Sequence, residues 1–127
     1  MVSAPVIAFR ADAAPEIGSG HVMRCLTLAR AAREAGAACR FVTRARPGHM
    51  GDRIADEGFD LTLLPAPGGA PPESPPAHAH WAGVPWAEDA GETRAALAPA
   101  PPDWLVVDHY AFDARWQRAA RPAGTRL

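Results

Sequence analysis

The sequence predicts an α/β fold, a Rossmann-like parallel sheet with flanking helices. Apolar runs of strand length alternate with helical patterns along the chain, whose 127 residues suit one domain with one core. The first apolar run, residues 6–10, is nearly continuous, as in strands that are buried on both faces. A glycine-rich turn joins this run to the first helical pattern, as in a strand–helix–strand unit.

The elements of the first half follow in order. Residues 20–35 predict a helix, because apolar side chains recur at helical spacing and Gly36 provides a C-terminal stop. Residues 40–43 and 59–64 predict the second and third strands, and the segment 48–57 between them predicts a short helix.

A proline-rich stretch divides the chain. Residues 65–85 predict a long surface loop, because proline lacks the backbone donor that a helix or a central strand needs. Beyond the loop, residues 88–97 predict the third helix and residues 104–107 the fourth strand. Asp113 is a candidate N-cap for a fourth helix that ends near Arg121.

The last residues resemble the beginning of another strand. Gly124 closes the fourth helix, and residues 125–127 follow it with strand-like character. We therefore expect residues 1–127 to form an N-terminal Rossmann-like domain that is truncated near its fifth strand.

Composition argues against several classes of function. The net charge of −1 is unlike that of a general nucleic-acid-binding protein. No apolar run approaches membrane-spanning length and the N-terminus lacks the features of a signal peptide, so we expect no membrane partner. Cys25 and Cys39 are too few for a disulfide scaffold, and we interpret them as buried free thiols of a cytoplasmic protein.

The turn before the first helix carries the main candidate site. Gly18, Ser19 and Gly20 would leave backbone N–H groups free at the positive end of the helix dipole and let a substrate approach the backbone. His21 lies on the first turn, where the dipole disfavours the imidazolium, so we expect a neutral ring that can accept a proton. The alternatives are a plain tight turn and a histidine that only caps or packs.

Three more candidate site residues are polar and belong to the same region. Asp12 and Tyr110 follow the first and fourth strands, at the carboxyl edge where open α/β sheets bind ligands. Asp12 either orients His21 or holds the loop. Arg24 either contacts a sugar or phosphate or forms an ion pair with Asp12. Tyr110 either hydrogen-bonds the ligand or packs, with Asp108 capping the segment that follows.

No cofactor or metal is predicted. Met23 stands where the dinucleotide fingerprint requires its third glycine, which excludes a nicotinamide site. His78 and His80 are spaced to share one face of a strand, but they lie in the proline-rich loop without a clear third ligand. Trp81 and Trp86 flank this loop and are interpreted as packing anchors or as stacking platforms for a sugar.

A family resemblance covers nearly the whole chain. The segment 10–26 reads R-A-D-A at its start and I-G-S-G-H-V-M-R-C-L at its end. It resembles the N-terminal signature of the UDP-2,4-diacetamido-2,4,6-trideoxy-β-L-altropyranose hydrolases, nucleotide-sugar hydrolases of pseudaminic acid biosynthesis. Two further blocks agree in collinear order, W-A-G-V-P-W at 81–86 and D-W-L-V-V-D-H-Y at 103–110.

The resemblance implies a reaction and an architecture. His21 would accept a proton from the water that attacks the anomeric carbon of a UDP-linked diacetamido-trideoxy sugar, releasing UDP and free sugar. The chain would be the N-terminal half of a GT-B-type two-domain fold, whose missing C-terminal half makes most uridine and diphosphate contacts. The chain alone is therefore expected to be inactive. The alternatives are a glycosyltransferase domain of the same architecture and a non-catalytic truncated binding module.

Overall fold

The computed structural model describes residues 4–69 and 78–127 and has a four-stranded parallel sheet at its centre. Its strands are β1 (Val6–Ala11), β2 (Ala38–Arg44), β3 (Asp60–Leu64) and β4 (Trp104–Asp108). Their order in the sheet is β3-β2-β1-β4, and each neighbouring pair is parallel. The α/β, Rossmann-like prediction is therefore confirmed.

Helices cover both faces of the sheet. They are α1 (Gly20–Glu34), α2 (Gly51–Asp56), α3 (Trp86–Leu97) and α4 (Ala114–Ala120), with a 3-10 helix at Ala79–Ala82. Successive strand residues point to opposite faces, so Ala8 and Phe9 of β1 belong to two different apolar clusters. The Phe9 cluster includes side chains of α1 and α2, and the Ala8 cluster those of α3 and α4.

Several predicted boundaries shift by a few residues for local reasons. The second helix begins at Gly51 rather than at residue 48, because Gly48 has a positive φ of 80° that a right-handed helix does not use. The third helix begins two residues earlier than predicted, with Pro85 in an extended conformation as its N-cap. Asp113 caps α4 as predicted, since its side chain accepts a hydrogen bond of 3.0 Å from the Arg115 amide.

Other predictions can also be compared with the structure. Cys25 and Cys39 are both buried and free, as predicted. Arg126 forms an isolated parallel bridge with Trp104, in agreement with a strand that begins near the C-terminus. Part of the predicted proline-rich loop, residues 70–77, lies outside the described residues. Within the part of the chain that the structure describes, no helix is long and apolar enough to span a bilayer.

The strand order predicts a ligand-binding crevice beside β1, at the carboxyl edge of the sheet. The chain passes from β1 to β2 on one side and later returns to place β4 on the other. The connections after β1 and β4 therefore leave the carboxyl edge in opposite directions, which is where doubly wound sheets bind ligands.

A buried carboxylate ties three strand ends together at this edge. Asp12, directly after β1, is fully buried and accepts hydrogen bonds from three partners beyond its own strand. The Arg44 amide donates at 2.8 Å and the Thr43 hydroxyl at 3.2 Å, both from the end of β2. The His109 Nε2, just after β4, lies at 2.9 Å. Asp12 thereby fixes the ends of β2 and β4 relative to β1.

Two buried arginines complete this ionic network. Arg10 of β1 is fully buried and contacts Asp12 at 2.5 Å and Asp89 of α3 at 2.6 Å. Arg44 contacts the same Asp89 oxygen at 2.7 Å and donates to the Pro65 carbonyl at 2.7 Å. The four buried groups carry two positive and two negative charges, and Arg44 also contacts the partly exposed Glu92 at 2.9 Å.

Burial and pairing shift the pKa values of this network. Burial disfavours the Asp12 carboxylate, but the Arg10 guanidinium and the His109 hydrogen bond more than offset it and hold the pKa of Asp12 well below its usual range. Burial also lowers the pKa of His109 from its ordinary value of 6.5, although Asp12 opposes that change. His109 is therefore neutral at pH 7 and donates from Nε2 to Asp12, while its Nδ1 accepts from the Ala111 amide at 3.1 Å.

Replacing Asp12 with asparagine is expected to lower the free energy of unfolding by about 3–5 kcal/mol, because Arg10 would stay buried without its carboxylate. Urea denaturation measures this change. Asp56→Asn is the matched control: Asp56 is exposed and outside the network, so its loss should stay within about 0.5 kcal/mol. Equal losses in the two variants would contradict the role given to the network.

Stability should also fall in acid, in two stages. The pKa values of Asp12 and His109 are both lower in the folded state than in the unfolded chain. The unfolded chain therefore binds more protons, and the free energy of unfolding decreases as pH falls. The contribution of His109 to the free energy of unfolding is complete above pH 6.5 and declines below it. The contribution of Asp12 declines below pH 3.8. Urea midpoints measured from pH 8 to pH 3 test this, and His109→Gln should remove the upper stage only. A wild-type profile that is flat between pH 7 and pH 5 would refute the upper stage.

Candidate functional site

The turn between β1 and α1 presents backbone to solvent, as its sequence predicted. Gly18 has a positive φ of 81°, which accounts for glycine at that position, and its amide donates to the Ala14 carbonyl at 2.7 Å. Ser19 is the N-cap of α1 but makes no side-chain capping hydrogen bond. Gly18, Ser19 and Gly20 are all exposed. Ser19 therefore leaves the first-turn N–H groups of α1 without a side-chain cap of its own.

His21 forms a close pair with Asp108 across the crevice. The His21 side chain is largely buried on the first turn of α1, and Asp108 is the last residue of β4. Nδ1 of His21 lies 2.5 Å from Oδ1 of Asp108. The two residues are 87 positions apart in sequence, and only the placement of β4 beside β1 brings them together.

This contact fixes which ring nitrogen carries the proton. A carboxylate accepts hydrogen bonds, so Nδ1 of His21 carries the hydrogen, and in the form of the ring with one N–H the lone pair is on Nε2. Arg24 Nη2 also lies 3.1 Å from Nδ1, but a guanidinium only donates and cannot bond to a protonated nitrogen. The pair therefore leaves Nε2 as the nitrogen that can accept a proton.

Arg24 braces Asp108 from the solvent side. Its Nε and Nη2 contact the two carboxylate oxygens at 2.9 and 2.8 Å, a bidentate geometry. Partial burial disfavours the Asp108 carboxylate, but the hydrogen bonds from Arg24 and His21 outweigh it and lower the pKa of Asp108 below its usual value. Asp108 therefore stays ionised at neutral pH. Burial and this carboxylate raise the pKa of the neighbouring Cys25 thiol to about 12, so Cys25 is not a nucleophile.

Aromatic rings surround the imidazole of His21. The Tyr110 ring meets it edge-on, with centroids 4.8 Å apart and planes at 89°. The Trp81 ring lies 6.4 Å from His21 and nearly parallel to Tyr110, at 5.9 Å and 19°. His78 stacks on Trp81 at 4.5 Å. Since Tyr110 is 57% exposed, the cluster presents ring surface to solvent beside His21.

The predicted site residues therefore separate into two groups. His21, Arg24 and Tyr110 come together around Asp108, with the glycine turn beside them. Asp12 does not belong there: its side chain is fully buried and contacts neither His21 nor Arg24, so the pairings predicted with these two residues are wrong, and Asp12 instead holds neighbouring strand ends. The reason is that Arg10 and the end of β2 enclose this carboxylate inside the sheet edge.

Sequence reasoning missed the role of Asp108 and the whole buried network. The sequence places Asp108 at the carboxyl edge, either near a ligand or as a cap, but does not indicate that it holds both His21 and Arg24. A signal was available, because the predicted fourth strand ends at this residue and a doubly wound order sets β4 beside β1. Arg10 and Arg44 gave no such signal, since charged residues in a strand usually face solvent.

The histidine pair of the loop gains no third ligand. Rings of His78 and His80 lie 6.3 Å apart, and within residues 4–69 and 78–127 no group of three histidine, cysteine or carboxylate side chains is arranged to hold a metal ion. Trp81 and Trp86 both pack partly against the core, as expected of anchors, and Trp81 also faces the cluster around His21.

No protein-family model and no curated protein matches this chain. Functional inference therefore relies on the geometry above and on the motif resemblance.

The tautomer of His21 can be measured directly. We expect the neutral ring in the Nδ1–H form, as read from ring ¹⁵N shifts in long-range ¹H–¹⁵N correlation spectra. In Asp108→Ala, Arg24 becomes free to donate to Nδ1 at its present distance of 3.1 Å, so the tautomer should change to Nε2–H. Asp113→Ala removes a comparable carboxylate–arginine pair, with Arg115, and should leave His21 unchanged. An Nε2–H ring in the unmodified protein would contradict the assignment.

Proposed function

We propose that this chain is the base-bearing half of a nucleotide-sugar hydrolase. Its substrate would be a UDP-linked diacetamido-trideoxy sugar, and its products UDP and the free sugar, as in pseudaminic acid biosynthesis. The observation that carries the proposal is the His21–Asp108 pair at the switch point of the sheet, within the motif on which the family resemblance rests.

The geometry suits activation of water. Nε2 of His21 takes a proton from water as the oxygen attacks the anomeric carbon. The bond between that carbon and the diphosphate oxygen breaks, and its electron pair leaves with UDP. Direct displacement inverts the anomeric centre. Asp108 orients the ring and stabilises the imidazolium that forms, which is the role of the carboxylate in histidine–aspartate pairs.

Charge on the leaving group also needs stabilisation. Arg24 keeps 61% of its side chain exposed although both of its contacts with Asp108 are made, so its remaining N–H groups can reach a phosphate oxygen. The uncapped N-terminus of α1, with Gly18, Ser19 and Gly20 exposed, provides further donors. Under the GT-B architecture that the resemblance implies, a second domain would face this edge and supply most uridine contacts.

The rings of Tyr110 and Trp81 support a sugar as the bound group. Both rings lie within 6.4 Å of the His21 ring, and their planes are nearly parallel. Aromatic faces bind apolar surfaces, and a trideoxy sugar carries more such surface than a fully hydroxylated one. We therefore assign Tyr110 to the sugar subsite. Trp81, whose ring is nearly parallel to that of Tyr110 at 5.9 Å, would hold the Tyr110 ring in place.

Release of UDP from the UDP-sugar should depend on His21. The assay uses the protein together with the second domain that the resemblance implies, because that domain would supply most uridine and diphosphate contacts. His21→Gln should lower kcat by about 100-fold or more, the usual contribution of a general base. His49→Gln is the matched control, since His49 only accepts a hydrogen bond from the Gly51 amide in the turn before α2.

Product analysis separates hydrolysis from transfer. Nuclear magnetic resonance of the first-formed sugar should show free amino-sugar with inverted anomeric configuration. Retained configuration would contradict direct attack by water, and a sugar joined to an acceptor would identify a glycosyltransferase. Unchanged UDP release in His21→Gln would remove His21 from the mechanism.

A further inference from the structure

Arg46 joins two segments that lie near His21. It follows β2, and its side chain is only 7% exposed although it begins the turn between β2 and α2. Its Nη1 donates to the Trp81 carbonyl at 2.6 Å, and its Nη2 pairs with the Glu16 carboxylate. Trp81 belongs to the 3-10 helix, and Glu16 to the turn that precedes α1. One guanidinium thus connects the aromatic segment with the glycine-rich turn.

Close packing supports the same connection. Gly83 follows the 3-10 helix with a positive φ of 77°. A Cβ there would lie 2.7 Å from the Pro67 ring and 3.2 Å from Nη1 of Arg46, so this position leaves no room for a side chain. On the other side, a Cβ at Gly48 would lie 3.4 Å from the Pro15 ring, which precedes α1. Both segments therefore pack against Arg46 or against the turn that it begins.

Few other polar contacts place the 3-10 helix. Within the described part of the chain, the hydrogen bond from Arg46 is the only one that reaches residues 79–83 from a distant segment. The backbone hydrogen bonds at the ends of this stretch join residues three positions apart, which does not orient so short a helix relative to the sheet. Apolar packing anchors Ala82 in the core, whereas Arg46 contacts the residue whose ring lies beside Tyr110.

An ordinary surface ion pair would not need this arrangement. Glu16 is 47% exposed, and exposed pairs contribute little to the free energy of unfolding. The guanidinium of Arg46 is almost fully buried and also donates to a main-chain carbonyl of a distant segment. Its contacts therefore serve the relative placement of two segments.

We propose that Arg46 is a positioning residue of the sugar subsite, holding Trp81 beside Tyr110 before the substrate arrives. This inference rests on the proposed function, which assigns Tyr110 to that subsite. Rings that are already in place need not be ordered by the ligand, so less conformational entropy is lost on binding. The guanidinium of Arg46 hydrogen-bonds to neither His21 nor Asp108, so it should affect sugar binding and not proton transfer.

The only tyrosine of the chain gives a direct readout of this role. Selective ¹³C labelling of tyrosine rings reports on Tyr110 alone, and the Trp81 ring, 5.9 Å away, shifts its resonances. Arg46→Met should move these resonances towards their positions in Trp81→Ala, because Trp81 is no longer held. Arg46→Lys should restore part of the change, since lysine keeps a charged donor but not the fork that reaches both partners. Arg53→Met, which removes an arginine paired with Glu57, is the matched control and should leave the Tyr110 resonances unchanged.

Kinetics of UDP release test the effect on binding. In the protein together with its second domain, Arg46→Met should raise KM about ten-fold and leave kcat within about two-fold. Circular dichroism verifies that each variant is folded. Unchanged Tyr110 resonances in Arg46→Met would overturn the proposal, as would a lower kcat at unchanged KM. If the unmodified protein released no UDP, the proposed function would fail, while the Tyr110 resonances would still decide whether Arg46 holds Trp81.

Discussion

The carboxylate of Asp12 is the constraint on which the rest of this fold depends. It accepts hydrogen bonds from the ends of two neighbouring strands and pairs with Arg10 of its own strand, all without solvent. An ionised group in such a place is tolerated only if every partner stays in position, because removing one leaves an uncompensated buried charge. The spacing of the three carboxyl-terminal strand ends is therefore fixed by electrostatics as well as by the backbone ladders.

That fixed spacing has a direct consequence for the candidate site. His109 is held by Asp12, and its neighbour Asp108 is consequently held at the correct distance from α1. Asp108 in turn determines the proton position on His21 and anchors Arg24. A buried network thus positions the largely buried ring of His21 through a single peptide unit. We regard the adjacent pair Asp108 and His109 as the link between the stability of the sheet edge and the chemistry of the crevice.

The two charged regions of the protein differ in how their arginines are used. At the carboxyl edge each arginine has a carboxylate partner, so the positive charge there is neutralised and serves geometry. Near the amino end of β4, the exposed side chains of Arg94, Arg118, Arg121 and Arg126 form no ion pair among the described residues. A net charge of −1 for the whole chain conceals this difference, since it averages over both ends of the sheet. Composition therefore gives little information about where paired and unpaired charges lie.

The sequence by itself determined the element order, the parallel sheet and the position of His21 on the first turn of α1, because apolar periodicity and glycine turns act over a few residues. It also indicated Arg24 and Tyr110 as neighbours of the site, since Arg24 follows His21 by three residues on the same predicted helix and Tyr110 follows the fourth strand. It could not reveal that Asp108 rather than Asp12 pairs with His21, or that Arg10, Arg44 and Asp89 are buried together. Those contacts join residues up to 97 positions apart, and they exist only because β4 is placed beside β1 and α3 covers the same face. Side-chain charge is local information, whereas the partner that neutralises it is decided by the tertiary structure.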